Sequence, residues 1–151
     1  MKNLIMNNLP TSAKTRIEKE IQAIIDTLIK GCETLDMDMA FGMFANNPEF
    51  IMMGTDGSQV DYDTYVNDNI TYLSDCSAFE LTTFNGETRV LDENTAIYSW
   101  AYSAKATLKS GDIDMVDNAG ATFVFRKLND EWKVIYYHEA TVPPCRITKQ
   151  D

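Results

Sequence analysis

The strongest pattern of apolar and polar positions lies near the end of the chain, in GATFVFRKLNDEWKVIYYHEAT from Gly120 to Thr141. Ala121 to Phe125 and Trp132 to His138 are rich in β-branched and aromatic residues, and Leu128, Asn129, Asp130 and Glu131 supply turn chemistry between them. The pattern predicts a β-hairpin. Strict alternation puts Ala121, Phe123 and Phe125 on one face of the first arm, with Thr122, Val124 and Arg126 behind. In the second arm, Ile135, Tyr137 and Glu139 oppose Trp132, Val134, Tyr136 and His138. Both faces are largely apolar, so both are expected to lose water, one under the domain's own helices and the other against a partner.

Upstream, Ile17, Ile21, Ile24, Ile25, Leu28 and Ile29 recur at helical spacing and predict a helix from Ser12 to Thr34, capped by Thr11 or Ser12. Asp36 is placed to cap a shorter helix, Met37 to Phe44, which Asn46, Asn47 and Pro48 end. Glu49 to Met53 reads as a short strand, and Gly54 to Ser58 as a turn. Asp61 or Asp63 opens a third helix with Tyr62, Tyr65, Val66, Ile70 and Leu73 on one side, followed by a loop holding Cys76. Extended stretches from Ala78 to Leu91 and Thr95 to Leu108 complete a meander of four strands with the hairpin. The expected organisation is a loose arm over residues 1–11, a domain over 12–142 and a mobile tail over 143–151.

The 151 residues suffice for one domain with a real core, and 44% hydrophobic with 24% charged residues are globular proportions. No apolar run approaches a membrane span, and the start, MKNLIMNNLP, is too broken for a signal peptide, so a cytoplasmic protein is expected. A net charge of −10 repels nucleic acid and anionic membrane, so neither is expected as a partner. Cys32, Cys76 and Cys145 lack paired spacing and read as free thiols. A single histidine, His138, excludes a multi-histidine metal site, and Asp56 in GTDGS lacks the acidic spacing of a calcium loop. Neither metal nor cofactor is expected.

The order helix, helix, strand, helix and four strands resembles the nuclear transport factor 2-like superfamily, in particular its SnoaL-like members. Three passages carry the resemblance: LDMDMAFGMFANNPEFIMMGTDG from Leu35 to Gly57, the strand from Thr95 to Ala106, and the closing hairpin. It implies an α+β fold in which N-terminal helices pack on a strongly curved, mostly antiparallel sheet, a cone-shaped half-barrel with a pocket. It also implies a homodimer joined through the outer sheet face. Ketosteroid isomerase-like members place a Tyr in the first helix, where this chain has none before Tyr62. Kinase association domains of the same superfamily put Arg on inward strand positions, which align here with Ala101, Phe123 and Glu139, so an Arg cluster for an anion is not expected. Cyclase-type members use a pocket carboxylate or His, a role that Glu139 and His138 leave open. Scytalone dehydratase-like chemistry wants Tyr and His groups around one water, and a lone His fits it poorly.

Glu139 is therefore a candidate general acid or base if its face lines the pocket, and otherwise a wet residue at a strand end. His138 is a second catalytic candidate only if a bulge turns it inward; otherwise it lies beside Tyr136 at a subunit contact. Tyr98, Trp100 and Tyr102 form an aromatic row opposite Ile97, Ser99, Ala101 and Ser103. Aligned with the hairpin, the small face is expected to line the pocket and the aromatics to meet a partner; the inverse remains open. The expected ligand-binding set is Met53, Tyr62, Tyr65, Ala101, Phe123, Ile135 and Tyr137, and the expected dimer surface is Trp100, Tyr102, Val134 and Tyr136. Met37, Met39, Met43, Met52 and Met53 serve either an adaptable apolar pocket or plain core filling. The functions in view are binding of a small apolar or aromatic organic ligand, a cofactor-independent cyclase, isomerase or dehydratase, and a dimerising interaction module with a vestigial pocket.

Overall fold

Residues 8–149 are described by the structure, a computed structural model. Most of the expected N-terminal arm, residues 1–7, lies outside the described residues. Helix α1 spans Thr11–Thr34 and buries Ile17, Ile21, Ile25, Leu28 and Gly31, one stripe at three- and four-residue intervals. Neither Thr11 nor Ser12 caps it. Pro10 holds the cap position without a side-chain hydrogen bond, and its carbonyl accepts from the Ala13 and Lys14 amides. Leu35, at φ 56°, closes the helix in the left-handed conformation.

Helix α2 covers Met37–Phe41, with the Asp36 side chain accepting from the Met39 amide. It stops short of Phe44 because the chain there pairs with the hairpin instead. The Val134 amide donates to the Met43 carbonyl at 2.8 Å, and the Ala45 amide to the Val134 carbonyl at 2.9 Å. Strands β1 (Ile51–Met53) and β2 (Gln59–Val60) flank the Gly54–Ser58 turn, and α3 (Tyr62–Ser74) follows with Asp61 as its cap. Four longer strands then run from β3 (Cys76–Asp92) through β4 (Thr95–Leu108) and β5 (Ile113–Leu128) to β6 (Glu131–Thr141). Cys76 opens β3 and is buried instead of lying in a loop.

The sheet order is β2-β1-β6-β5-β4-β3; β1 runs parallel to β6, and the other neighbours are antiparallel. Register shifts interrupt the ladders at Ser77, Phe84 and Leu91 in β3 and at Asp117 and Asn118 in β5, which lie opposite Ser103 of β4. Each extra residue bends its strand, and together they curl the sheet around α1. The residues expected to form a mobile tail include a short strand, β7 (Cys145–Ile147), which pairs with the start of β5. The β5–β6 turn places Asn129 and Asp130 at φ 50° and 65°, the signature of a two-residue hairpin loop.

Two face assignments differ from strict alternation. In the hairpin Val124 pairs with Tyr136 but Phe125 with Val134, so Ile135 is an unpaired bulge residue. The bulge resets the alternation: Trp132 and Val134 are buried inward with Phe125, and Tyr137 inward with Phe123. In β4, Tyr98 pairs with Phe123, Trp100 with Ala121 and Tyr102 with Ala119. Directly paired residues share a face, so the aromatic row points into the cone, with Trp100 and Tyr102 only 5% and 6% exposed. A one-residue difference in register turns every side chain over, and that register is what the sequence left open. Trp100, Tyr102 and Val134 are therefore not on the outer surface. Of the expected contact residues only Tyr136 remains there.

Candidate functional site

The curled sheet and the two larger helices enclose a cavity of about 560 Å³. Its sheet wall is Trp100, Tyr102, Phe123 and Tyr137; Leu28, Phe41 and Tyr65 close it from the helices. Room exists because β4 changes from large to small inward residues: Trp100 and Tyr102 are followed by Ala104 and Ala106. At the floor the aromatic rings meet edge to face or tilted, Phe123 and Tyr137 at 4.8 Å, Phe44 and Tyr65 at 5.0 Å, and Tyr65 and Tyr137 at 5.4 Å between centroids. Trp100 stacks on Tyr102 at 4.0 Å and donates its indole N–H to Thr83.

One carboxylate enters this wall. Glu139 follows Tyr137 by two residues on β6, so the pleat carries both inward. The hydroxyls of Tyr102 and Tyr137 both donate to Glu139 Oε2, each at 2.5 Å. Glu139 Oε1 has no hydrogen-bond partner among the described residues, nor has the carboxylate a cation within 4 Å. Burial and then the Glu139 charge push the hydroxyls of Tyr65, Tyr102 and Tyr137 well above the ordinary tyrosine range, so all three stay neutral donors. Burial also raises the Cys32 thiol on α1 to about 11, with Glu33 adding to the effect, which leaves it unreactive at neutral pH. Thr55, in the turn after β1, donates its hydroxyl to the Glu139 carbonyl and accepts from the Thr141 amide, fixing this end of β6.

At another edge of the cavity β7 brings Arg146 onto Asp114 in a two-pronged contact, Nε to Oδ1 at 2.6 Å and Nη2 to Oδ2 at 2.7 Å. The Tyr72 hydroxyl donates to the same carboxylate at 3.0 Å. Hydrogen bonding from Arg146 holds the Asp114 carboxyl below its usual range, whereas burial, followed by the bond to Asp114, pushes the Tyr72 hydroxyl up. Among the described residues no group of three His, Cys, Asp or Glu side chains is placed to hold a metal ion.

Of the expected site residues, Tyr65, Phe123, Tyr137 and Glu139 line the cavity. Ala101 lies on the opposite face of β4 from Trp100 and Tyr102, and Ile135 is the bulge; neither lines the cavity. Met53 lies against Tyr136, whose hydroxyl is 3.9 Å from its sulfur. Tyr62 packs edge-on to Phe50 at 6.0 Å, and His138 pairs with Thr122 on the face turned from Glu139. Trp100 and Tyr102, expected at a subunit contact with the inverse left open, line the cavity, and the Asp114–Arg146 pair joins them without any signal in the sequence. The alternation of large and small residues in β4 was visible, but not which side was in.

A helix-wrapped, bent sheet with a pocket in its concave side is the architecture of the nuclear transport factor 2-like superfamily, and solved structures with that fold overlay on this chain. A candidate scytalone dehydratase from Novosphingobium aromaticivorans superposes with a TM-score of 0.78 at 8% identity, over 93% of this chain and 94% of that one. A superfamily protein from Salmonella enterica gives 0.73 at 16% identity, over 86% and 94%. A candidate calcium/calmodulin dependent protein kinase II association domain from Xanthomonas campestris gives 0.67 at 21% identity, over 83% and 87%. Within the superfamily, the profile of the calcium/calmodulin dependent protein kinase II association domain matches residues 17–143, and the chain belongs to that family. No curated protein matches the sequence significantly. No helix among the described residues is long and apolar enough to cross a membrane.

Proposed function

We propose that this chain is a self-associating module that binds a small organic molecule in the cavity between α1, α3 and the sheet. The observation that carries the reading is the 560 Å³ hollow walled by aromatic rings with one inward carboxylate, a volume within the usual range for ligand pockets. A vestigial pocket would be expected to fill with side chains, since interiors close to high packing density. Ala104 and Ala106 hold this one open.

Self-association is supported by membership of an association-domain family and by the outer face of the sheet. There Ile51, Tyr136, Val124 and Ile97 are paired side by side across four strands, an apolar row that a second copy would cover. Because Trp100, Tyr102 and Val134 face inward, this row takes their place as the proposed contact. A second reading, a cofactor-independent isomerase or dehydratase, is favoured by one observation. Glu139 is oriented through Oε2 by two tyrosines and keeps Oε1 for a proton, the arrangement a general base requires.

A thermal-shift screen of small cationic, neutral and anionic aromatics tests the binding reading. A ligand at one hundred times its Kd stabilises by about 2.7 kcal/mol, on the order of 5 to 10 °C for a domain of this size. The shift should vanish in Ala104→Phe, which fills the cavity. If no compound shifts the native protein, or if shifts persist in Ala104→Phe, the cavity is not the binding site. Chemical conversion of a stabilising compound, lost in Glu139→Gln, would favour the enzymatic reading.

A further inference from the structure

We propose that the ligand taken by this cavity is an organic cation, an ammonium or amidinium group on an apolar or aromatic body, held by Glu139 among the rings of Trp100, Tyr102, Phe123 and Tyr137. The inference rests on the ligand-binding reading above and specifies its chemistry. It follows from the distribution of charge around the hollow.

Of the two carboxylates that line the cavity, Asp114 is already matched by the guanidinium of Arg146, Nε and Nη2 each bonding one oxygen. Glu139 has no such partner among the described residues. Its Oε2 is held by two neutral hydroxyls, which fix its direction without cancelling its charge, and Oε1 is left as an acceptor. Charge that is partly removed from water favours a counter-charge, and the one described cation at the cavity, Arg146, is engaged elsewhere.

The surroundings select against the alternatives. The Tyr102 and Tyr137 hydroxyls already donate to the carboxylate, and Arg146 is taken by Asp114, so an anion entering would meet the charge of Glu139 with no free cation among the described lining residues to offset it. A neutral alcohol would satisfy Oε1 but leave the charge unmatched. The walls around Glu139 are aromatic, and ring faces attract cations, an interaction that strengthens as water is removed. The net charge of −10 draws cations toward the protein and slows anions. Leu28, Phe41 and Leu73 supply the apolar side against which the body of such a ligand would lie.

Benzylammonium, benzyl alcohol and benzoate differ little in size and carry charges of opposite sign or none, so calorimetric titration of the native protein with the three at pH 7 isolates the charge. Benzylammonium should bind about tenfold or more tightly than benzyl alcohol, the ratio expected of a charged hydrogen bond with ring contacts, and benzoate weakest. Glu139→Gln should remove the preference, bringing benzylammonium to the level of benzyl alcohol measured on the same variant. Equal affinities, tighter benzoate, or a Glu139→Gln variant that keeps the preference would overturn the proposal. The comparison on the native protein decides the matter even if that variant does not fold. Binding of benzyl alcohol or benzoate without preference for the cation would leave the ligand-binding reading standing and remove this one; binding of none would remove both.

Discussion

Tyr102 on β4 and Glu139 on β6 are separated by 37 residues, with β5 running between their strands, yet the tyrosine hydroxyl lies 2.5 Å from the carboxylate oxygen. The contact spans two strand spacings because the inward faces of a curled sheet converge, and Tyr137 completes it from Glu139's own strand. The carboxylate is thereby oriented by the fold itself.

Removing one of the two donors tests this directly. Hydrogen bonds to charged groups contribute about 1.5 to 3 kcal/mol, so Tyr102→Phe should lower the urea-unfolding free energy by that order. With Glu139→Gln added, the second loss should be smaller than in the native background, because the pair acts as a unit. Additive losses would mean that the hydroxyl and the carboxylate do not cooperate.

Gly31 offers a test of the α1–α2 crossing. A Cβ there would fall 2.3 Å from the Ala40 backbone nitrogen and 2.6 Å from the Met39 carbonyl carbon. At an exposed helical site Gly→Ala stabilises by up to about 1 kcal/mol, but here backbone must move, so Gly31→Ala should cost about 1 to 3 kcal/mol. Thermal denaturation giving a more stable variant would contradict the close approach.

Cys32 gives stability an alkaline limit. Its folded pKa of about 11 lies above the unfolded value of 9.0, so its contribution is complete below pH 9 and is lost as pH rises through 11. Two units correspond to a loss on the order of 2 to 3 kcal/mol at most. Urea titrations between pH 8 and 11 should show this decline, with a shallower one in Cys32→Ala.

Asp114 acts in the opposite direction. Its carboxyl is held low by Arg146, so the contact is present above the unfolded pKa of about 3.8 and fails as pH falls through the lower folded value. In Asp114→Asn the charged contact is gone at neutral pH. Amide exchange at Cys145–Ile147 should then quicken while β3 to β6 stay protected, and unchanged exchange would show that β7 is held by its ladder alone.

The outer row predicts the state of assembly. Val124→Glu, between Ile97 and Tyr136, should lower the mass measured by light scattering at micromolar concentration without changing the circular dichroism. An unaltered mass would move the contact to another face.

Much of the fold was legible because it is written in local periodicities: the stripe from Ile17 to Leu28, the Asn129-Asp130 turn and the Asp36 and Asp61 caps each follow from neighbours in sequence. The site was half legible. Phe123, Tyr137 and Glu139 follow from alternation within the hairpin, whereas Trp100 and Tyr102 depend on the β4–β5 register, a non-local property that no pattern within β4 reveals. The bulge at Ile135 has the same origin, since its flanking residues Val134 and Tyr136 are apolar on either face. The pairing of Arg146 with Asp114 joins a tail with no apolar periodicity to the middle of the chain, and charges 32 residues apart announce nothing by spacing.

The most direct test of the cavity as a binding site is the emission of Trp100, which forms its wall, in a Trp132→Phe background that leaves it the sole tryptophan. A compound that raises the melting temperature should change that emission saturably, at the concentration where it stabilises, and should lose both effects in Ala104→Phe. Stabilisation with Trp100 emission unchanged, and undiminished in Ala104→Phe, would contradict the account.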